Sequence, residues 1–573
     1  MIAENIKLWL REQAWMRPVR LANLKGRQRR GLLPDWRQIL GADWDEWQAL
    51  RKRVEADDKA PRILMATSVG IHAAAAGFDS YLAVALTARG NRCDILLCDQ
   101  ELPACMAADY TWYGNPERFA RHGSRKDLCT ACYRPASRLF GADGLGFPIL
   151  RYSALLTADD RRKAEDIAQS ASLGAVEQIE IDGQPVGEQA LAGALRFFAR
   201  GEIDRDGEVE APIMRRYLRA SCLTLFALRR LFAERQYDMV IGHHGIYVPQ
   251  GLVTAAAAEA GLRFVSWNPA YRQGCFIFSH GDSYHHTMLT EPTSMWEDLA
   301  LGEPERTRLM RYLEDRAEGV QDWIAFHPKK AEASGNLVRV IGLDPEKPVV
   351  TLLTSVIWDA QLHYRQRAFE NQVEWVMQTI RYFVRRPDLQ LAIRIHPGEI
   401  RASLPSRQLI ADEIAAAFRG LPRNIAIVKP NDRISSYALS EASDAVIIYA
   451  TKTGIELAAR GIPVIVAGES WLRGKGIGFE CEDAESYAAL LDRLPFGKRM
   501  DGERRRRAER YAYHFFFRRM IPLPGLGRAR IPGVPFEITA RGLAPFRPGA
   551  SASLDHAVRC ISTGGPFVFD EAG

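Results

Sequence analysis

Phosphate chemistry is the first thing the residue pattern suggests. Leu391-Ala392-Ile393-Arg394-Ile395-His396-Pro397-Gly398-Glu399 is an apolar run that ends in an arginine, an imidazole and a proline. In an α/β fold that end of a strand is where phosphate groups bind, so His396 could hydrogen-bond or protonate a phosphate while Arg394 neutralises it. Alternation along a strand puts residues 394 and 396 on the same face. The plainer role for His396 is to anchor the turn before Pro397, and Glu399 closes the segment.

A second segment lies fifty residues on. Val446-Ile447-Ile448-Tyr449-Ala450-Thr451-Lys452-Thr453-Gly454-Ile455-Glu456-Leu457 reads as a buried strand, a hydroxyl-rich turn and a helix start, followed by Gly461-Ile462-Pro463-Val464-Ile465-Val466. Free backbone N–H groups at such a turn suit an anion. Thr451, Thr453 and Gly454 are expected to hold phosphate and Glu456 to reach a ribose or sugar hydroxyl. Tyr449 and Lys452 complete the predicted ligand-binding set, together with Arg394, His396, Pro397 and Glu399.

Histidines supply the candidates for acid–base work. His243 and His244, in Ile241-Gly242-His243-His244-Gly245, could bind an acceptor or take a proton from its hydroxyl. Asp359 and His363 stand four apart and are expected to face one another on a helix, as a base or a sugar clamp, unless Asp359 is an N-cap. His280, His285 and His286 crowd a further turn. The catalytic candidates are therefore His243, His244, Asp359 and His396.

Cysteines form another constellation. Cys98, Cys105, Cys129 and Cys132 could hold Zn²⁺ or an iron–sulfur cluster, or stay as plain thiols. A metal there would be structural, because four thiolates leave no open position. No cofactor is expected to be needed for the chemistry at the phosphate.

These residues need elements to position them. Ile63–Ala66, 94–97, 239–241 and 264–266 read as strands alternating with helices at 80–89 and 252–260. A second series follows Gly342-Leu343-Asp344-Pro345, with strands at 348–353, 389–395, 425–428, 445–449 and 463–467 and helices at 371–384 and 453–459. The expected architecture is α/β, with two Rossmann-like doubly wound parallel-sheet domains facing a cleft. The predicted divisions are a basic and aromatic helical extension over 1–60, a first domain over 61–330 with a Cys-containing insertion at 98–135, a second domain over 331–500, and a returning helix with a Pro/Gly-rich tail over 501–573. Beyond about Pro522 that tail reads as extended or partly disordered.

Composition narrows the function classes. The 573 residues are 47% hydrophobic and 25% charged, which is globular and too long for one core. A net charge of +6 spread over that surface gives no reason to expect nucleic acid. The sequence shows no apolar run of membrane-spanning length and no signal-peptide layout at its start, so a cytoplasmic location is expected. Nine cysteines argue against a disulfide framework. Trp9, Arg11, Trp15, Arg17, Arg20, Lys25, Arg27, Arg29 and Arg30 would suit a helix at the inner face of a membrane, or simply a solvated basic helix.

The Arg394–Pro397 loop, the Tyr449–Leu457 turn and the Gly461–Val466 segment together resemble the capsule polysaccharide biosynthesis family, over roughly residues 235–520. That family has the GT-B fold and includes Kdo transferases. The resemblance implies a glycosyltransferase that moves a sugar from a nucleotide-sugar donor to a polysaccharide or lipid-linked glycan acceptor, in contact with capsule machinery or the inner membrane. It also associates the His-Pro pair, here His396 and Pro397, with the donor phosphate, while Thr451 and Thr453 stand where the family has serines. A nucleotide-sugar 2-epimerase and a noncatalytic capsule assembly or export factor are the competing expectations.

Overall fold

In the computed structural model, which describes residues 33–319, 322–323, 337–363, 367–497, 499–529 and 536–571, the chain divides into two compact units. The first comprises Met1–Phe198, Ile203–Tyr284 and Arg519–Gly573, and the second Ala199–Glu202 and His285–Arg518. The division expected near residue 330 thus falls inside the second unit, and the last 55 residues (519 to 573) belong to the first. Trp9 to Arg30 lie outside the described residues.

The first unit is built on β1 (Arg62–Ser68), β2 (Arg92–Leu97), β3 (Ile149–Arg151), β4 (Met239–His243), β5 (Arg263–Pro269) and β6 (Cys275–His280). Its sheet runs β6-β5-β4-β1-β2-β3, extended beyond β6 by Ile521–Pro522. β1 to β5 are mutually parallel where they pair, and β6 is antiparallel to β5. Buried on both faces, these strands carry continuous apolar runs rather than alternation. Helix α1 (Ala73–Thr87) has almost no exposed residue, because Ala, Leu and Phe surround it and leave no polar face to turn outward. Its Phe78 stacks on Phe276 with ring centroids 3.8 Å apart and meets Trp267 at 4.4 Å. Helix α2 (Lys126–Phe140) carries the CxxC pair.

Residues 35–60 pack on this unit through their tryptophans. The Trp36 indole N–H donates to Ser80 Oγ at 2.9 Å and that of Trp47 to the Leu145 carbonyl at 3.2 Å. The Pro/Gly-rich tail is not the loose end its composition suggested. Leu526, Phe536, Phe546, Leu554, Val558, Ile561 and Phe567 are buried, and helix Ala552–Thr563 is capped by Ser551. Widely spaced apolar anchors order this tail despite its turn-forming composition.

The second unit contains β7 (Val349–Leu353), β8 (Gln390–Arg394), β9 (Ile425–Val428), β10 (Ala445–Ile448), β11 (Val464–Val466) and β12 (Phe479–Glu480) in the order β12-β11-β10-β7-β8-β9, all parallel. One face packs Leu352, Ile393, Ile447 and Ile465 beneath helix α3 (Gln372–Val384) through Trp375, Val376 and Ile380. The other packs Val349, Ala392 and Val428 against Leu337, Val338, Leu343 and Leu439. Helix α4 (Thr453–Ala459) follows β10. Both sheets thus have the doubly wound order of a Rossmann-like domain, and two such units in one chain make the fold GT-B-like.

One buried carboxyl gives the first unit a distinct pH response. Asp79, on α1, accepts from Thr67 Oγ1 at 2.7 Å and from Trp267 Nε1 at 2.8 Å. Burial strips its water and outweighs those two donors, pushing its pKa up to about 7. A raised carboxyl pKa means that stability is intact below the unfolded value and is lost as pH climbs towards 7. Asp79→Asn keeps an acceptor for Trp267 and carries no charge. It should match the parent near pH 4 and exceed it at pH 8 by about 4 kcal/mol in urea denaturation; a pH-independent difference would refute the assignment.

Candidate functional site

Strand order decides where the second unit offers a site. β8 and β9 lie on one side of β7, and β10, β11 and β12 on the other, so the chain reverses direction between β7 and β10. Loops on either side of such a reversal part from each other at the carboxyl edge and leave room for a ligand. The loops after β8, β7 and β10 are neighbours there, and two strand spacings set them within about 10 Å.

Three of these loops carry polar groups. Thr354, just past β7, accepts the His396 backbone N–H on Oγ1 at 2.9 Å, which ties the β7 and β8 loops together. The half-buried His396 ring accepts the Gly398 N–H on Nδ1 at 3.0 Å, fixing its orientation over the turn at Pro397. Ser355 donates its backbone N–H to Gln372 at 2.9 Å, and among the described residues its buried hydroxyl has no hydrogen-bond partner. After β10, Thr451 Oγ1 accepts from the Thr453 N–H at 3.3 Å and lies 3.2 Å from the Thr453 hydroxyl. Both threonines are half-buried. Thr354 and Ser355 were not singled out from sequence as ligands, although a hydroxyl pair directly after the strand 348–353 was the available signal.

Other expected ligands are placed elsewhere. Arg394 turns into the fold, donating to the Lys429 carbonyl and to Ser436 Oγ, and only 1% of it is exposed. Burial drops its pKa to about 10. The Glu399 carboxylate accepts the Ile410 N–H at 3.1 Å and is itself buried, which pushes it up to about 7. Tyr449 is sealed in the core with its hydroxyl donating to the Phe369 carbonyl at 2.8 Å. At Gly454 a Cβ would meet Ile448 Cδ1 at 2.5 Å and Leu472 Cδ1 at 2.9 Å, so this glycine serves helix–strand packing.

Glu456 and Lys452 are corrected in the same way. Glu456 is fully buried, 2.9 Å from the Arg316 guanidinium and 3.2 Å from Lys452 Nζ, and it accepts from the Tyr437 hydroxyl. Burial opposes its ionisation, but Arg316, Lys452 and Tyr437 together hold it down to about 2. Arg316 also pairs with Asp322. Two cations therefore face two carboxylates inside the fold, and both Glu456 and Lys452 are engaged by internal partners. Asp359 and His363 do not share a helix face. Ala360, at φ 55°, breaks the chain between them, leaving a short turn over Gln361–His363, with Asp359 exposed and His363 buried.

The first unit has its own reversal between β1 and β4. His72, at the start of α1, accepts the Ala75 N–H on Nδ1 at 3.2 Å. Its ring lies 5.0 Å from that of His243, at the end of β4, and the His243 ring lies 5.1 Å from that of His244. His244, Gly245 and Tyr247 all have positive φ, at 74°, 80° and 66°, an unfavourable run for non-glycine residues and one that clusters at ligand-binding loops. Burial, then the Arg196 charge, lowers His72 to about 4; burial and the flanking imidazoles hold His243 well below the usual range. Both imidazoles therefore resist protonation. Sequence reasoning paired His243 with His244 but missed His72. His280, in contrast, hydrogen-bonds the Gly565 carbonyl at 2.9 Å and stacks on Phe567, a structural anchor for the tail. A polar groove lined by Asp58, Arg62, Arg92, Arg235 and Asp238 opens at the amino edge of this sheet, the edge opposite to the one doubly wound folds use.

No protein-family model and no curated protein matches the chain. Among solved structures it is similar to a beta Kdo 2,4 transferase from Thermosulfurimonas dismutans, at 13% identity and a TM-score of 0.31 over 48% of this chain and 79% of that one. A trehalose 6-phosphate synthase from Burkholderia multivorans matches at 13% identity and a TM-score of 0.30, over 88% of this chain and 100% of that one. A third match, a putative UDP-N-acetylglucosamine 2-epimerase from Listeria monocytogenes, has 11% identity and a TM-score of 0.26 over 90% and 100% of the two chains. At these values the likenesses assign no function. Among the described residues no helix is long and apolar enough to cross a membrane.

The internal charge cluster is open to direct measurement. Glu456→Ala removes the carboxylate that Arg316 and Lys452 share, leaving Asp322 alone against two cations, and should cost about 3–5 kcal/mol in urea denaturation. Thr453→Ala, at a half-exposed hydroxyl, should cost less than about 1 kcal/mol. Comparable small losses for both would show that Glu456 is not the centre of the cluster.

Proposed function

We propose that the chain is a GT-B glycosyltransferase that moves a sugar from a nucleotide-sugar donor to a glycan or glycolipid acceptor. The second unit grips the donor at the carboxyl edge of β7, β8 and β10, and the first unit receives the acceptor at its histidine edge. The observation that carries this reading is the junction of the β7 and β8 loops through Thr354 and His396, beside the threonine turn after β10. Backbone N–H groups, hydroxyls and one imidazole at a strand-order reversal are suited to a diphosphate, and fixed donors there stabilise a leaving phosphate without reorganising.

In this mechanism the donor's diphosphate lies over the Thr354–Ser355 and Thr451–Thr453 turns. His396 then shares a proton with the departing phosphate oxygen. On the acceptor side an imidazole from His243 or His244 takes the hydroxyl proton as that oxygen attacks the anomeric carbon. Binding, orientation and charge stabilisation then carry the rate, and no divalent metal at the phosphate is invoked. The resemblance of 394–397 and 449–457 to the capsule polysaccharide family supports a surface polysaccharide as the product, made at the cytoplasmic face of the membrane.

A thermal-shift screen across UDP-, GDP-, CMP- and dTDP-sugars should give one nucleotide class that raises the melting temperature, since ligand at about 100 times its Kd adds about 2.7 kcal/mol. His396→Ala should melt like the parent, lose that shift and transfer sugar about 10²–10³-fold more slowly. Failure of every nucleotide sugar to bind would sink the reading. Interconversion of a nucleotide sugar without any acceptor would replace it with a 2-epimerase, and nucleotide-sugar binding with neither transfer nor interconversion with a noncatalytic role.

A further inference from the structure

Polar atoms sealed away without partners gather at the carboxyl edge of the first unit. Gln250 opens the helix Gln250–Glu259 and is 2% exposed, yet among the described residues neither its amide oxygen nor its amide nitrogen has a hydrogen-bond partner. The same holds for Nδ2 of Asn268, near the end of β5, and for Nδ1 of His243, at the end of β4, both on residues 6% exposed. Buried polar groups are almost always paired, so this concentration implies an occupant that supplies the missing partners. We propose that Gln250, Asn268 and His243 form a subsite for an uncharged sugar and that Gln250 selects it against carboxylate-bearing sugars.

The backbone draws these residues together. His244 donates its N–H to the Trp267 carbonyl at 3.1 Å, which sets the loop after β4 against Asn268, the next residue. That loop then folds back on the helix start, where the Gly251 N–H donates to the Tyr247 carbonyl at 2.7 Å. A Cβ on Gly245 would lie 3.3 Å from Thr254 Oγ1, and one on Gly251 only 2.2 Å from Gln189 Oε1. Glycine at both positions lets further polar side chains close on the backbone around Gln250, and these two oxygens are also buried without a partner among the described residues. The half-buried rings of His72 and His244 flank His243 at 5.0 and 5.1 Å, so the group reaches solvent on that side.

The chemistry of the unpaired atoms selects the ligand. Amides present both a donor and an acceptor, and an imidazole nitrogen can serve as either. A sugar hydroxyl likewise donates and accepts, so it can satisfy both kinds of atom. A carboxylate only accepts, and it would leave the Gln250 and Gln189 oxygens unpaired. A site built to hydrogen-bond hydroxyls rejects a ligand that lacks them for that reason. The guanidinium of Arg196 lies 5.8 Å over the Tyr247 ring, but it already faces Asp109 at 3.9 Å and donates to the Met106 carbonyl. The cation beside the loop is therefore engaged rather than offered to an anion.

Among the described residues no group of three or more His, Cys, Asp or Glu side chains is placed to hold a metal ion, the free Cys98, Cys105, Cys129 and Cys132 included. The imidazoles at this edge thus act as hydrogen-bond partners. The subsite rests on the reading of the histidine edge as the acceptor side, and adds to it which sugars that edge admits.

Saturation-transfer NMR of the full chain with methyl β-glucoside, methyl β-galactoside, N-acetylglucosamine and glucuronate should show binding of at least one neutral sugar and none of glucuronate. Gln250→Met keeps the length of the side chain and removes both unpaired atoms. It should bind that sugar about tenfold more weakly or worse, while melting at the parent's temperature or slightly above, because a desolvated amide is gone. Asn268→Ala should weaken the same sugar. Binding of glucuronate, binding of no neutral sugar, unchanged affinity in Gln250→Met, or a marked fall in its melting temperature would each overturn the subsite, the last by showing that the amide is bonded within the free protein. Nucleotide-sugar binding is scored separately by thermal shift. Its absence beside a bound neutral sugar overturns the donor reading alone, and its presence without one overturns the subsite alone.

Discussion

The reversal of strand order is the constraint on which the rest of the molecule depends. A parallel strand must be followed by a right-handed crossover, so successive strands added to one side of β7 put their helices on one face and those added to the other side put them on the opposite face. Where the two directions meet, no helix crosses the strand ends. The backbone at β7–β10 and at β1–β4 is therefore left with loops that diverge, and polar groups placed in those loops stay near solvent without unravelling the sheet. His396, Thr451 and Thr453 stand half-buried in such loops in one unit and His72 and His244 in the other, while Thr354 and His243 at the strand ends are buried.

Charge placement then separates groups that support the edge from groups that face outward. Glu456, Arg316, Lys452 and Asp322 balance one another internally, so their charges are satisfied within the fold, while Arg394 turns inward to the Lys429 backbone carbonyl and the Ser436 hydroxyl. Burying an ion pair contributes little net stability, but it fixes geometry because every alternative arrangement leaves a charge unpaired. The edge of the second unit carries hydroxyls, backbone N–H groups and a half-buried imidazole. Donors held in place in this way are suited to an anion, with no need of mobile cations.

Much of the scaffold was legible in the sequence. Strands at 239–241, 425–428 and 445–449 and the helix at 371–384 were visible because a doubly buried parallel strand has to be apolar throughout and its helix has to show an apolar stripe. The β6 strand and the two-residue strands were not, since an antiparallel edge or a two-residue pairing leaves no periodic trace. At the site, position along the chain located the loops but not the direction of each side chain. Arg394 and His396 share a strand parity, yet one turns inward because Ser436 and Lys429 offer acceptors and the other is held at the turn by Gly398. His72 was hidden for a related reason: its neighbours His243 and His244 lie 171 and 172 residues away in sequence, and only the pairing of β1 with β4 makes them adjacent.

The first unit is completed by residues that follow the whole of the second, since Ile521–Pro522 pairs with β6 and the helix at 552–563 packs behind it. During synthesis, therefore, the β6 edge waits unpaired while more than two hundred residues of the second unit leave the ribosome. The second unit's main segment, His285–Arg518, waits for nothing downstream and can condense as soon as it emerges. Vectorial production thus inverts the order of the chain: the half that begins first is the half that finishes last, and an open sheet edge is the state that chaperones would meet.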